Sequence, residues 1–103
     1  MRLTHAQIRR LKDAVRHGFG ADARVWLFGS WVDDAQRGGD YDFYVETTLA
    51  DAAVIVDRKL DALVALKASP EFEDEKIDLV VRPVNASIEL PIYQVARQSG
   101  VQL

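Results

Sequence analysis

Between Asp40 and Glu46 the chain reads DYDFYVE, and this alternation constrains the fold more than any other stretch. In an extended strand successive side chains leave on opposite faces. Tyr41, Phe43 and Val45 therefore share a face suited to burial, and Asp40, Asp42, Tyr44 and Glu46 share the other. Strands disfavour aspartate. A strand that opens with two acids on one face needs either solvent or a bound cation on that side.

The remaining elements follow from capping and periodicity. Thr4-His5-Ala6-Gln7 has the form of a capping box, with Thr4 as N-cap and Gln7 reaching back. Ile8, Leu11 and Val15 then recur at helical spacing, which predicts a helix from about Thr4 to His17, ended by Gly18 and Gly20. RVWLF, Arg24 to Phe28, reads as a short buried strand, and a short helix is expected from Ser30 to Ala35 before Gly38-Gly39 breaks the chain. Thr48 is placed to cap a long helix running to about Ala68, with Ala53, Val56, Leu60, Leu63 and Val64 as its apolar stripe. Val54 and Ile55 lie partly off that stripe. Lys76 to Val81, KIDLVV, predicts a third strand, with Pro83 returning the chain to loop. Pro91 suits the first turn of a last helix and Gly100 its C-terminal cap. The expected architecture is α/β (α+β), a small three-stranded mixed sheet with helices packed on it, formed as a single domain over residues 1–103.

Bulk properties narrow the function classes. The chain has 103 residues and a formal net charge of -3, so no basic excess points to direct nucleic-acid binding. There is no cysteine, which excludes disulfides, thiolate metal sites and a cysteine nucleophile, and is compatible with a cytoplasmic location. No run approaches the roughly 18 apolar residues of a membrane span, and the N-terminal residues lack the apolar core of a signal peptide. A soluble, cytoplasmic protein is expected, without a membrane partner.

Asp40 and Asp42 are two apart, so their Cα atoms are separated by about 6.5–7 Å on one strand face. Two carboxylates so placed can reach one divalent ion or a close pair, and hard cations such as Mg²⁺ take oxygen ligands that they share with substrate phosphates. The same spacing also suits the solvated face of an antiparallel strand. Asp78, between Ile77 and Leu79, is an acid in the middle of a predicted strand, which is costly without a partner or an ion. Gly29-Ser30 follows the first strand. A glycine there lets backbone approach a ligand, and the first N–H groups of a helix starting at Ser30 would suit an anion. A phosphate cradle beside paired carboxylates, with a third acid on another strand, is the apparatus of phosphoryl or nucleotidyl transfer.

Gly29-Ser30, nine intervening residues and then Asp40-Tyr41-Asp42 resemble the Gly-Ser…Asp-x-Asp signature of the DNA-polymerase-β-like nucleotidyltransferases. KIDLVV resembles the later strand of that family, which carries its third acid. The small size and the ending LPIYQVARQSGVQL are similar to the minimal nucleotidyltransferase (MNT) branch. The resemblance implies that Gly29 and Ser30 hold a nucleoside triphosphate and that Asp40, Asp42 and Asp78 bind the metal, with two Mg²⁺ ions and ATP as substrate. It further implies that an acceptor hydroxyl attacks the α-phosphorus and pyrophosphate leaves. MNT proteins are paired with a separate helical HEPN protein or substrate-binding subunit. In the toxin–antitoxin version the MNT protein is the antitoxin and transfers AMP to a tyrosine of the HEPN toxin.

Two positions depart from the family pattern. Trp31 stands where many relatives have arginine, and Gly39 where many have serine. Loss of an arginine removes a phosphate contact, and Arg37 is the nearby residue that could replace its charge. The resemblance therefore also admits an antitoxin that neutralises its partner by occlusion, or the catalytic subunit of a two-chain transferase with a small-molecule or nucleic-acid acceptor. His5, His17, Asp33 and Asp34 are read as surface residues, Trp26 as core, Tyr44 as core or rim, Glu46 as carrying little function and the acidic EFEDE as a solvated turn.

Overall fold

The computed structural model describes residues 3–29 and 41–103, which form an α+β domain of three helices and a four-stranded mixed sheet. The short helix expected from Ser30 to Ala35 lies outside the described residues, as do Ser30, Trp31, Arg37, Gly39 and Asp40.

Helix α1 spans His5–Phe19 and starts with the complete capping box: the Thr4 hydroxyl accepts from the Gln7 N–H, and the Gln7 side chain accepts from the Thr4 N–H, both at 3.0 Å. Leu11, Val15 and Phe19 form its buried row at i, i+4 and i+8. Gly18 does not end the helix. It sits inside it, where a Cβ would approach the Ala62 Cβ to 4.0 Å, and the full burial of Phe19 holds that last turn in place. Gly20 is the cap.

Strand β1, Arg24–Phe28, pairs antiparallel with β2, Tyr41–Thr47. Strand β3, Ile77–Pro83, pairs with β2 in parallel. A parallel neighbour needs a crossover, and α2, Ala52–Lys67, supplies it. The sheet order is β3-β2-β1-β4. The fourth strand, β4 (Val101–Gln102), corrects the three-strand expectation: its two residues are too short for a periodicity to show, yet they pair with Trp26 and Leu27 on β1. The turn into β4 depends on Gly100, where a Cβ would fall 2.8 Å from the Leu27 carbonyl oxygen. β3 runs past the expected end at Val81 to Pro83, and the chain after Pro83 leaves the strand as the sequence suggests. Pro83 lies on an edge strand, where a missing N–H is tolerated, and Val84 N–H still donates to the Thr47 carbonyl at 2.8 Å. The last helix, α3, spans Pro91–Ser99 with Pro91 in its first turn and Gly100 as its cap, as the sequence predicts.

One sheet face carries the main core. Val25, Leu27, Tyr41, Phe43, Val45 and Leu79 pack there against Leu11, Val15 and Phe19 of α1 and Ala62 and Leu66 of α2. Each fully buried leucine or phenylalanine contributes about 1.5–3 kcal/mol. The acidic turn also has a buried anchor. Phe72 is fully buried, with its ring edge-on to Tyr41 at 5.6 Å and to Phe43 at 6.2 Å, so this segment is pinned to the core rather than wholly solvated. The opposite face carries Trp26, Phe28 and Tyr44 under Ala96 and Tyr93 of α3. No helix of the described residues is long and apolar enough to cross a membrane.

Helix α2 departs most from expectation. Its N-cap is Asp51, whose carboxylate accepts from Ala53 and Val54 N–H groups at 2.9 and 3.2 Å; Thr48 is not the cap. The inward residues are Ile55, Ala62 and Leu66, with Leu63 half-buried, while Ala53, Val56, Leu60 and Val64 of the predicted stripe face solvent. A urea titration tests this rotation. Leu66→Ala should lower stability by about 2–5 kcal/mol, and Val64→Ala should change it by no more than about 0.5 kcal/mol. Equal losses at the two positions would place Val64 in the core.

Candidate active site

The second sheet face is organised in rows by strand register. The first row sets Phe28 of β1, Asp42 of β2 and Asp78 of β3 side by side; the second sets Trp26, Tyr44 and Val80; the third sets Arg24, Glu46 and Arg82. The acids of two different strands are thus neighbours across one parallel pairing, with strand axes about 4.8 Å apart. Asp42 is half-buried and Asp78 is exposed.

Gly29 closes this corner from the end of β1. Its φ of 79° lies in the left-handed region that glycine adopts readily. A Cβ built there would fall 2.4 Å from Oδ2 of Asp42. The missing side chain is what allows the strand end to lie against that carboxylate. Of the residues predicted for the site, Gly29, Asp42 and Asp78 are brought together. Ser30 and Asp40 lie outside the described residues. Among the described residues no group of three or more His, Cys, Asp or Glu side chains is arranged to hold a metal.

The third row solves the problem of an acid on a strand differently. Glu46 is buried, and cations surround it. Arg24 Nη2 donates to its Oε1 at 2.7 Å, Arg82 Nη1 lies 3.8 Å from its Oε2, and Arg97 Nη1 from α3 lies 3.5 Å from the same oxygen. The Tyr44 hydroxyl donates to Oε2 at 2.7 Å and accepts from Arg97 Nη1 at 3.0 Å. Glu89 joins the cluster by pairing with Arg82 at 3.0 Å and with Arg97. This network ties α3 to the middle strands. Glu46 is the shared acid: losing any one arginine leaves it two cations, whereas losing Glu46 takes a partner from all three arginines at once. The sequence signal was present, since Glu46 shares a face with Asp42, but its arginines come from three other elements and could not be paired with it beforehand. Tyr44 is fully buried, with ring contacts to Trp26 at 5.2 Å and Tyr93 at 5.8 Å, as a packing role requires. Trp26 is buried, and His5 and His17 are exposed, as the sequence suggests.

The chain matches no protein-family model, and no curated protein matches it in sequence. What the first row offers is a pair of carboxylates at a sheet end, open to solvent on the Asp78 side, next to a strand terminus without a side chain. That donor set suits a hard divalent cation and an anionic ligand sharing it.

Burial, and then the hydrogen bond to Glu46, push the Tyr44 hydroxyl up to about 12 from an ordinary 10.0. Because the folded value lies above the unfolded one, the corresponding stability is fully present below pH 10 and is lost as pH rises through about 12. Tyrosinate absorbance should retain a titration phase near pH 12, and Tyr44→Phe should remove it. A single transition at the ordinary tyrosine value in the folded protein would contradict the buried hydrogen bond.

Proposed function

We propose that this protein is a Mg²⁺-dependent nucleotidyltransferase that transfers AMP from ATP to an acceptor hydroxyl. The observation that carries the reading is the register pairing of Asp42 with Asp78 at the sheet end occupied by Gly29. Two acids on neighbouring strands cost stability unless a cation or solvent compensates them. The half-buried Asp42 carboxylate lies against the Gly29 backbone, at the strand end where the Gly-Ser motif would receive a phosphate. Asp42 and Asp78, with Asp40 as the third acid of the motif, would hold the ion, and Gly29 with Ser30 would receive the triphosphate.

When bound, Mg²⁺ would offset the charge of the phosphates and of the departing pyrophosphate. The protein's own contribution is position and charge. Gly29, without a side chain, lets the end of β1 lie against the Asp42 carboxylate, so that its backbone would meet the triphosphate beside that acid. Asp78, the exposed acid, is placed to accept the proton of the attacking hydroxyl. The hydroxyl oxygen forms a bond to the α-phosphorus while the bond from that phosphorus to the bridging oxygen breaks, and the electron pair leaves with pyrophosphate. The acceptor we propose is a tyrosine of a separate HEPN toxin, in which case the protein acts as a cytoplasmic antitoxin. A two-chain transferase with a small-molecule acceptor would use the same site.

The outward apolar face of α2 favours a second reading, in which the protein neutralises a partner by covering it and needs no turnover. Intact-mass measurement after incubation with ATP, Mg²⁺ and the HEPN-like product of a neighbouring gene separates the two. Transfer predicts added AMP units on the partner, reduced by on the order of 10²-fold or more in Asp42→Asn and Asp78→Asn proteins, since the lost groups act on developing charge. Undiminished transfer by the double variant would refute the proposed site. Full neutralisation by a double variant that adds no AMP would establish occlusion instead.

A further inference from the structure

We propose that one flank of α1 is a docking surface for an acidic helix of a different protein. Docking there does not depend on nucleotidyl transfer. Arg9, Lys12 and Arg16 follow one another at spacings of three and four, so they form one row along the helix, with His5 at its head. At about 100° per residue the three cations fall within about 60° of arc and span about 10 Å of the axis. Arg9 and Arg16 are exposed and Lys12 is half-buried. No carboxylate of the described residues, that of Leu103 included, lies within ion-pair reach of the three. Other arginines are used differently: Arg10 of the same helix pairs with Glu71 at 3.7 Å, and Arg24, Arg82 and Arg97 all serve Glu46. Like charges three and four apart destabilise a helix. The fold leaves this row uncompensated, and an incoming anion would compensate it.

The surroundings of the row keep it basic. On its inner side Lys12 and Arg16 line a cleft with Ala23, Arg24, Gln102 and Leu103. The Arg24 guanidinium there is turned to Glu46, and in the turn before β1 the Asp22 carboxylate accepts from the Thr48 hydroxyl at 3.5 Å. On the solvent side stands Asp13, the single acid of α1, one turn from Arg9 and from Arg16. Beyond it Glu71 is taken by Arg10. The row is thus a narrow basic strip with an acidic border on one side.

That shape selects the occupant. A nucleic-acid duplex or an anionic bilayer extends far beyond the strip, and would meet Asp13 and Glu71 on a chain whose formal net charge is -3. A helix fits within it. Acids at spacings of three and four repeat the rises of about 4.5 and 6 Å that separate the cations, whereas an extended segment repeats one face every 6.7 Å or so and falls out of step. A second copy of the chain has no such row. Its α1 holds one acid and its α3 none, and its α2 holds two, Asp57 and Asp61, with Arg58 beside them. A foreign helix with three acids in a row gives each cation a partner.

Two synthetic helical peptides of identical composition test this, one with three glutamates in such a row and one with the same glutamates spread around the helix. Each is titrated with the full chain at low salt and followed by fluorescence anisotropy. The row peptide should bind about tenfold more tightly than its isomer, and salt at about 0.5 M should remove the difference. The Arg9→Gln/Lys12→Gln/Arg16→Gln protein should bind the two peptides alike and keep the parent melting temperature. Equal affinities of the parent chain for the two peptides, or no binding of either, would overturn the proposal. So would a short RNA duplex that binds more tightly than the row peptide and is released by the triple substitution, which would assign the row to nucleic acid. A lowered melting temperature of the triple variant would contradict the lack of internal partners on which the docking row rests.

Discussion

The parallel pairing of β2 with β3 sets the position of nearly everything else in the molecule. It requires a crossover, and the crossover is α2. Its register places Asp42 opposite Asp78, Tyr44 opposite Val80 and Glu46 opposite Arg82. A slip of one residue would turn every side chain of one strand to the other face, putting Phe43 or Leu79 into solvent. Burial of Phe43, Val45 and Leu79 on one face, and the Glu46–Arg82 ion pair on the other, hold the register that brings the two aspartates side by side.

The same sheet face therefore handles three acids in two ways. Glu46 is enclosed by arginines from β1, β3 and α3, with the Tyr44 hydroxyl completing its hydrogen bonding. This end is a fastening, because it binds the last helix to the middle strands. At the far end Asp78 remains exposed, and the absence of a side chain at Gly29 lets the end of β1 lie against the Asp42 carboxylate. Strand β2 thus carries an acid enclosed by arginines at one end and an acid beside a strand terminus at the other. The rigidity supplied by the first end is what an arrangement of carboxylates at the second would need to stay preorganised.

Much of this was legible in the sequence because it depends on local chemistry. Thr4 and Gln7 form their capping box, Tyr41 to Glu46 alternate between the two sheet faces as read, and Pro91 and Gly100 bracket the last helix. Helix α2 was misjudged for a physical reason. Periodicity shows that Val56, Leu60 and Val64 share a face, but not which of two apolar faces the sheet will take. The inner face uses Ile55, Ala62 and Leu66, where a small alanine allows close approach to Gly18 of α1. β4 was too short to carry a pattern, and Phe72 was hidden among the acids around it. The Asp42–Asp78 pairing could be suspected from two acids in two strands, but register is a tertiary property that no single strand contains. The ring of arginines around Glu46 was invisible for the same reason.

The central claim is that the Asp42–Asp78 corner is where a divalent ion and a nucleotide meet. Paramagnetic broadening of the backbone amide spectrum by Mn²⁺, with a non-hydrolysable ATP analogue present, tests it most directly. Amides of Phe28, Gly29, Asp42 and Asp78 should broaden first, those of Arg24, Glu46 and Arg82 should stay sharp, and Asp78→Asn should abolish the effect. Broadening centred on the acidic Glu71–Glu75 segment, or a spectrum unchanged by Mn²⁺, would contradict it.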